Sequence, residues 1–162
     1  MKKLIIPFLT FLLVGCNDGN FDVPAFEFSD TVNSCGEYIL YKTNSNKTEV
    51  LVVTLNPTHF GTALNETSIF KISSALKVTY RIFKEGIASD YFCQSIPPST
   101  PTVLKELIAD SGSVNITTTA IETNGNSTTY TYEIFLTDLL FTDESERVYF
   151  ETLSIGTFTI TN

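Results

Sequence analysis

Apolar and polar residues alternate along much of this chain, a pattern that predicts β-strands. The run from 76 to 83 is the clearest case, because its alternate residues are apolar: Leu76, Val78, Tyr80 and Ile82. A period of two is expected of a strand with one buried face. The run from Val50 to Val53 is apolar at every position, which predicts an internal strand that is covered on both faces.

Polar and glycine-bearing segments separate the predicted strands. The segment 43–47 is a connector of hairpin length, and Asn124-Gly125-Asn126-Ser127 predicts a tight turn between strands 113–123 and 128–136. In the last strand, 147–160, the apolar parity changes at Gly156, so we predict a β-bulge there.

One segment has helical spacing instead. Thr100 is a suitable N-cap, Pro101 suits the first helical position, and Gly112 can end a helix. The apolar residues between them recur at helical intervals: Val103, Leu104, Leu107 and Ile108. The predicted fold is therefore mainly β, an antiparallel two-sheet sandwich with one short helix, and a small closed β-barrel is the alternative. A single domain is expected over residues 26–162.

The N-terminus has the features of an export signal. Lys2 and Lys3 precede an apolar run from Leu4 to Val14, which is well short of the roughly 20 residues that a membrane-spanning helix needs. The run ends in Leu13-Val14-Gly15-Cys16, which resembles the lipobox of bacterial lipoproteins. The resemblance covers residues 1–16 and implies a signal peptide over 1–15, removed at Cys16.

The lipoprotein resemblance implies that Cys16 carries a diacylglyceryl group and a further fatty-acyl chain such as palmitate. Two or more chains anchor a protein stably, whereas one chain does not. Residues 16–25 would then form a lipidated, flexible tether. Asn17 occupies the position where Asp favours inner-membrane retention in lipoprotein sorting, so the expected location is the outer membrane, on its periplasmic face or at the cell surface.

Charge and composition limit the partners. Loss of residues 1–15 leaves eight basic residues against eighteen acidic ones, a formal charge of −10. Such a surface repels nucleic acid and anionic headgroups, so we expect no nucleic-acid partner and attachment to the membrane through lipid alone. The 43% apolar content argues against disorder.

Cys35 and Cys93 are the two cysteines that remain after lipidation of Cys16. An exported chain reaches an oxidising compartment, and their separation fits no zinc or Cys-x-x-Cys motif, so a structural disulfide is predicted, with two buried free thiols as the alternative.

Candidate chemistry is sparse, and no cofactor is predicted. The one histidine, His59, is expected to be exposed in a loop. An acidic group could bind a hard cation, although a solvated turn between two strands is the favoured interpretation; its members are Asp138, Asp143, Glu144 and Glu146. Tyr130 and Tyr132 alternate with threonine, which is more typical of packing than of a sugar platform.

Two further segments complete the sequence-based picture. Asp30-Thr31-Val32 has the form of an O-glycosylation acceptor known in some bacteria. The stretch from Asp90 to Thr102 resembles a segment of uncharacterised bacterial surface lipoproteins, a likeness that implies no activity.

We therefore expect a non-catalytic, membrane-anchored structural or binding module whose partner is an envelope protein or glycan. The alternatives are a small-ligand-binding β-barrel and a carboxylate-based glycan hydrolase.

Overall fold

The computed structural model describes residues 28–36, 38–96, 98–143 and 146–162, apart from the side chain of Glu146. The predicted signal peptide, Cys16 and the tether lie outside the described residues. The described part begins at Phe28, which forms a bridge to Asn44.

Eight strands make up most of the domain. Their bounds are β1 Asn33–Cys35, β2 Ile39–Thr43, β3 Glu49–Thr54, β4 Thr67–Lys71, β5 Lys77–Phe83, β6 Val103–Asn124, β7 Ser127–Asp143 and β8 Glu146–Thr161. Two short 3-10 turns, Pro57–His59 and Tyr91–Cys93, are the helical elements in this part of the chain.

All eight strands belong to one antiparallel sheet. Its order is β1-β2-β3-β5-β6-β7-β8, and β4 pairs with β6 beside this path. The sheet curls into a half-barrel, so the prediction of a mainly β, antiparallel fold is confirmed. The curled sheet is compatible with the predicted sandwich and with the barrel alternative, because its two halves face each other across one core.

Strand β6 connects the two halves of the sheet. Its first part pairs with β5 over Val103–Ile108, the rest pairs with β7 from Ala109 to Asn124, and Ser113–Thr117 also pairs with β4. The register shifts near Gly112, where φ is +133° and an added Cβ would lie 3.0 Å from the Cα of Leu139. Glycine therefore permits the close approach of β6 and β7 at the bend.

The concave face of the sheet carries the main core. Its largest fully buried side chains come from both halves of the sheet: Leu40, Leu51, Leu76, Ile116, Ile134, Leu136, Leu139, Phe141 and Ile155. Because each strand contributes alternate residues to this face, the sequence alternation and the burial agree.

A second, smaller cluster lies on the convex face. Its members are Tyr41, Val50, Val52, Phe83, Ile87 and Tyr91. The segment that follows β5, residues 84–96, supplies Ile87 and Tyr91 and covers this face; we call it the strap. The strap explains why β3 is apolar on both faces, as its sequence predicted.

Several local predictions are confirmed. The alternating run forms β5, and the connector after Thr43 joins β2 to β3. The tight turn joins β6 to β7, with Gly125 at φ +64°. In β8, Ile134 of β7 pairs with Gly156 and Phe135 pairs with Ser154, so the predicted bulge is present.

The predicted helix over 100–112 is wrong, because Val103 to Gly112 is the beginning of β6. In the strand, Leu107 and Ala109 are buried, whereas Leu104 and Ile108 are 62% and 50% exposed. The helical spacing of the apolar residues is therefore not reflected in their burial. Residues 103–108 pair with β5, and β6 pairs with β7 from Ala109 onward, and this tertiary pairing overrides a weak local preference.

Candidate functional site

The strap is joined to the sheet by a disulfide between Cys35 and Cys93, as the sequence predicted. Their Cα atoms are 5.0 Å apart, within the usual range for a bridge. The Tyr41 hydroxyl also donates to the Ser89 carbonyl oxygen at 2.6 Å. Burial and the charge of Asp90 raise the pKa of Tyr41, so this donor stays protonated. The strap is thus held by a covalent bond, a hydrogen bond and the convex cluster.

Lys42 links β2 to β8 across the open side of the half-barrel. Its side chain is buried, and its Nζ donates to the Ser154 carbonyl oxygen at 3.2 Å. Burial lowers the pKa of Lys42, and the charge of Asp30 partly opposes that effect. Next to this contact, an added Cβ on Gly156 would lie 2.8 Å from Cγ2 of Val32. The chain before β1 therefore packs closely against β8.

An aromatic pocket lies near the start of β2, at the end of the strand away from Lys42. Its volume is about 130 Å³, and its lining residues are Tyr38, Pro57, Phe60, Thr62, Tyr132, Ile160 and Asn162. The Phe60 ring lies 4.9 Å from Tyr132 and 6.1 Å from Tyr38. A volume of this size is comparable to a cavity that holds one benzene ring, so the pocket suits a single ring.

His59 is buried, not exposed as predicted. Its Nδ1 accepts a hydrogen bond from the Asn56 backbone N–H at 3.1 Å, and its ring lies 4.6 Å from the Phe70 ring, edge to face. Burial lowers the pKa of His59, so the ring is held neutral. The Asn56 side chain accepts from the Thr58 N–H in return, which makes a reciprocal cap on the 3-10 turn.

A polar cleft opens at the bend of β6. Its volume is about 290 Å³, and its lining residues are Lys71, Ile72, Asp110, Ser111, Gly112, Ser113 and Asp138. The Thr142 hydroxyl donates to Asp110, and the Tyr149 hydroxyl donates to Asp138 at 2.8 Å. The hydrogen bond to Asp138 is the main reason that the pKa of Tyr149 is raised. Both carboxylates therefore have fixed positions at the walls of one cleft.

The structure separates the acidic residues that the sequence grouped. Asp143, the last residue of β7, pairs with Glu146, the first residue of β8, and it forms an ion pair with Lys105 at 3.2 Å. Asp138 lies five residues earlier in β7, roughly 17 Å along the strand. Glu144 lies outside the described residues. Within the described part of the chain, no group of three or more His, Cys, Asp or Glu side chains is placed to hold a metal ion.

Tyr130 and Tyr132 pack as the sequence indicated. Tyr132 is buried in the main core, and Tyr130 packs against that core with its ring stacked 6.3 Å away. Tyr132 reaches the aromatic pocket from the core side. The pair is therefore a packing element with one pocket-lining member.

Three features were not predicted, although the sequence contains a sign of each. They are the capped 3-10 turn at Pro57–His59, the buried Lys42 and the irregularity of β7 at Asp138. Asn56-Pro57 is a cap followed by a first-turn proline. Lys42 has the same parity in β2 as Leu40, which places it on the concave face. In β7 the buried residue after Leu136 is Leu139, a step of three residues where a regular strand has a step of two. This shift indicates the irregularity at Asp138, whose φ is +52°.

Comparison with known proteins gives no relative. No family model, no curated protein and no solved structure matches the chain. Among the described residues, no helix has the length and apolar character needed to cross a bilayer.

Proposed function

We propose that this protein is a non-catalytic binding or structural module of the bacterial cell envelope, anchored through lipid at Cys16. The observation that supports a surface-binding role is the filled interior. The concave face is packed with large side chains from both halves of the sheet, so a partner must bind outside the core.

The filled interior argues against the small-ligand-binding barrel. Pockets for drug-sized ligands have volumes of roughly 300 to 1,000 Å³ and bury most of the ligand. The aromatic pocket of about 130 Å³ is smaller than this and is open to solvent on one side. It suits one ring of a larger partner, such as a side chain of a protein or a sugar unit of a glycan.

The position of the aromatic pocket fits an anchored module. Phe28, the first described residue, bridges to Asn44, and the Ser29 backbone N–H donates to the Thr43 carbonyl oxygen. Tyr38 of the pocket lies six residues from Asn44 along β2, roughly 20 Å away. The first described residue, Phe28, therefore lies near one end of β2, and the pocket lies near the opposite end.

Membrane fractionation and fatty-acid labelling test the anchor. The full chain should be found in the membrane fraction and carry labelled fatty acid, and Cys16→Ser should lose both. Asn17→Asp is the matched control, because it should keep the lipid and move the protein to the inner membrane. Wild-type protein without labelled fatty acid would refute the anchoring proposal.

Native mass spectrometry of the protein purified from its own cells tests the binding mode. A module that binds at its surface should carry no small molecule that co-purifies in fixed proportion. A stoichiometric small ligand would favour the barrel alternative instead.

One observation favours a second candidate, the carboxylate-based glycan hydrolase. Asp110 and Asp138 line the same polar cleft, and hydrolysis of a glycosidic bond needs two carboxylates separated by roughly 5 to 10 Å. Turnover of a glycan substrate that is abolished by Asp110→Asn and by Asp138→Asn, but not by Asp143→Asn, would support it. Equal activity in wild type and both variants would exclude this cleft as the source.

A further inference from the structure

We propose that Thr31 is an O-glycosylation site and that the folded domain presents Asp30-Thr31 to a glycosyltransferase. Thr31 is exposed and lies outside the strands, between the Phe28 bridge and the start of β1. The proposal requires export, and so it rests in part on the envelope location proposed above.

The hydroxyl of Thr31 differs from many other threonine hydroxyls in the domain. Those hydroxyls take part in hydrogen bonds with neighbouring groups, at Thr58, Thr67, Thr117, Thr118, Thr119, Thr123, Thr128, Thr129, Thr142 and Thr161. At Thr31 it is the carbonyl oxygen that accepts a bond, from the Ser29 hydroxyl at 3.5 Å. Thr31 is exposed, and its hydroxyl makes no hydrogen bond with the described residues, so it can be reached from solvent.

The neighbours of Thr31 hold the segment in place. Val32 is half-buried and lies against Gly156 of β8. On the other side, Ser29 donates its backbone N–H to the Thr43 carbonyl oxygen at 2.9 Å. The tripeptide is therefore fixed at both ends, while Asp30 and Thr31 face solvent. An enzyme can reach the acceptor hydroxyl and the acidic residue beside it without unfolding the domain.

Ser111 provides an internal comparison. Asp110-Ser111-Gly112 also places a hydroxyl after an acid, but glycine replaces the apolar third residue. Ser111 lies within β6 and pairs with Leu140 of β7, and the Asp110 carboxylate accepts from Thr142. Glu151-Thr152-Leu153 also has an acid, a hydroxyl and an apolar residue, but Thr152 lies within β8 and pairs with Thr137 of β7. A transferase that reads this pattern outside the strands should therefore modify Thr31, and neither Ser111 nor Thr152.

The proposed reaction is a simple substitution with no redox change. The Thr31 Oγ1 attacks the anomeric carbon of a sugar that is carried as a phosphate ester on a lipid or nucleotide. The new C–O bond forms as the bond from the anomeric carbon to the phosphate oxygen breaks. The phosphate leaves with the electron pair, and the hydroxyl proton passes to a base of the transferase.

A glycan at Thr31 would also affect association. In the described part of the chain, β1 pairs with β2 alone and is the end strand of the sheet. Edge strands present unpaired backbone groups that can pair with another chain, and a bulky polar group beside the edge blocks such pairing. The sugar would shield this edge.

Peptide mass spectrometry on protein from its own cells tests the site. Cleavage after Glu27 and Glu37, with reduction of the disulfide, releases peptide 28–37, in which Thr31 is the single threonine. We expect this peptide to carry a sugar mass that fragmentation assigns to residue 31. Thr31→Ser should keep the sugar, Thr31→Ala and Asp30→Asn should lose it, and Ser111→Ala should leave it unchanged.

An unmodified peptide 28–37 from wild-type cells would overturn the proposal. A sugar that persists in Asp30→Asn would overturn the role of the acid. The lipid on Cys16 is read from the same sample. If the lipid is present while Thr31 is bare, the glycosylation inference fails and the anchoring proposal stands.

Discussion

Gly156→Ala should destabilise the domain by about 2 to 4 kcal/mol. At Gly156 φ is +119°, a conformation that costs a residue with a side chain about 1 to 3 kcal/mol. The new methyl group would also lie 2.8 Å from Cγ2 of Val32, and overpacking of this kind adds about 1 kcal/mol or more. Because Val32 is β-branched, its side chain has few alternative rotamers.

Urea denaturation of the chain from residue 17 onward measures this loss. Gly125→Ala is the matched control, because φ is +64° there and no atom lies within 4 Å of an added Cβ. It should cost only about 1 kcal/mol. Val32→Ala should relieve the collision, so the double variant Gly156→Ala with Val32→Ala should be more stable than additivity predicts. Equal losses at Gly156 and Gly125, or strict additivity, would refute the close packing of β8 against the chain before β1.

The disulfide, the buried histidine and the buried Tyr80 hydroxyl can each be tested by mutation. Replacing both Cys35 and Cys93 by alanine should lower the free energy of unfolding by about 4 kcal/mol on the chain-entropy model. Reduction of the wild type should raise its intact mass by two hydrogens, and a wild type with two free thiols would contradict the disulfide. Burial lowers the pKa of His59, so only the unfolded state takes up a proton as pH falls below about 6.5, and stability should decrease from that pH down to the folded pKa. Denaturation at several pH values measures this decrease, and NMR of the single histidine ring in the wild type gives the folded pKa. In His59→Gln this decrease should be absent. Burial, the nearby charge of Glu49 and the hydrogen bond to Glu49 raise the pKa of Tyr80 above its ordinary value. The unfolded state therefore loses the Tyr80 proton first, and the free energy of unfolding should fall above about pH 10. Tyr80→Phe should weaken this alkaline loss of stability, and an unchanged alkaline profile in the variant would contradict the buried hydroxyl.

The strands that sequence predicted well are those whose burial follows local alternation. The period of two in β5, the turn at Gly125 and the parity change at Gly156 are each visible within a few residues. These local patterns are enough to predict a mainly β fold, because every such strand needs a neighbouring strand and one covered face.

The errors have a common cause, which is dependence on distant parts of the chain. The start of β6 has helical spacing, but its state is decided by β5 and β7, which the sequence does not place beside it. His59 is buried because Phe70 of β4 packs on its ring. The polar cleft likewise forms where β4 and β7 meet the bend of β6, so its two carboxylates could not be paired from sequence.

The disulfide has a mechanical consequence for a chain that is pulled from its N-terminal side. Such a pull would first separate residues 28 to 34 from β2, breaking the hydrogen bonds along that short ladder. At Cys35 the load passes to a covalent bond with Cys93 and from there to the strap. Since seven residues extend by at most about 25 Å, only this length of chain can be stripped before the force reaches a bond that thermal motion does not break. The main core, which begins at β2, then bears load as one unit.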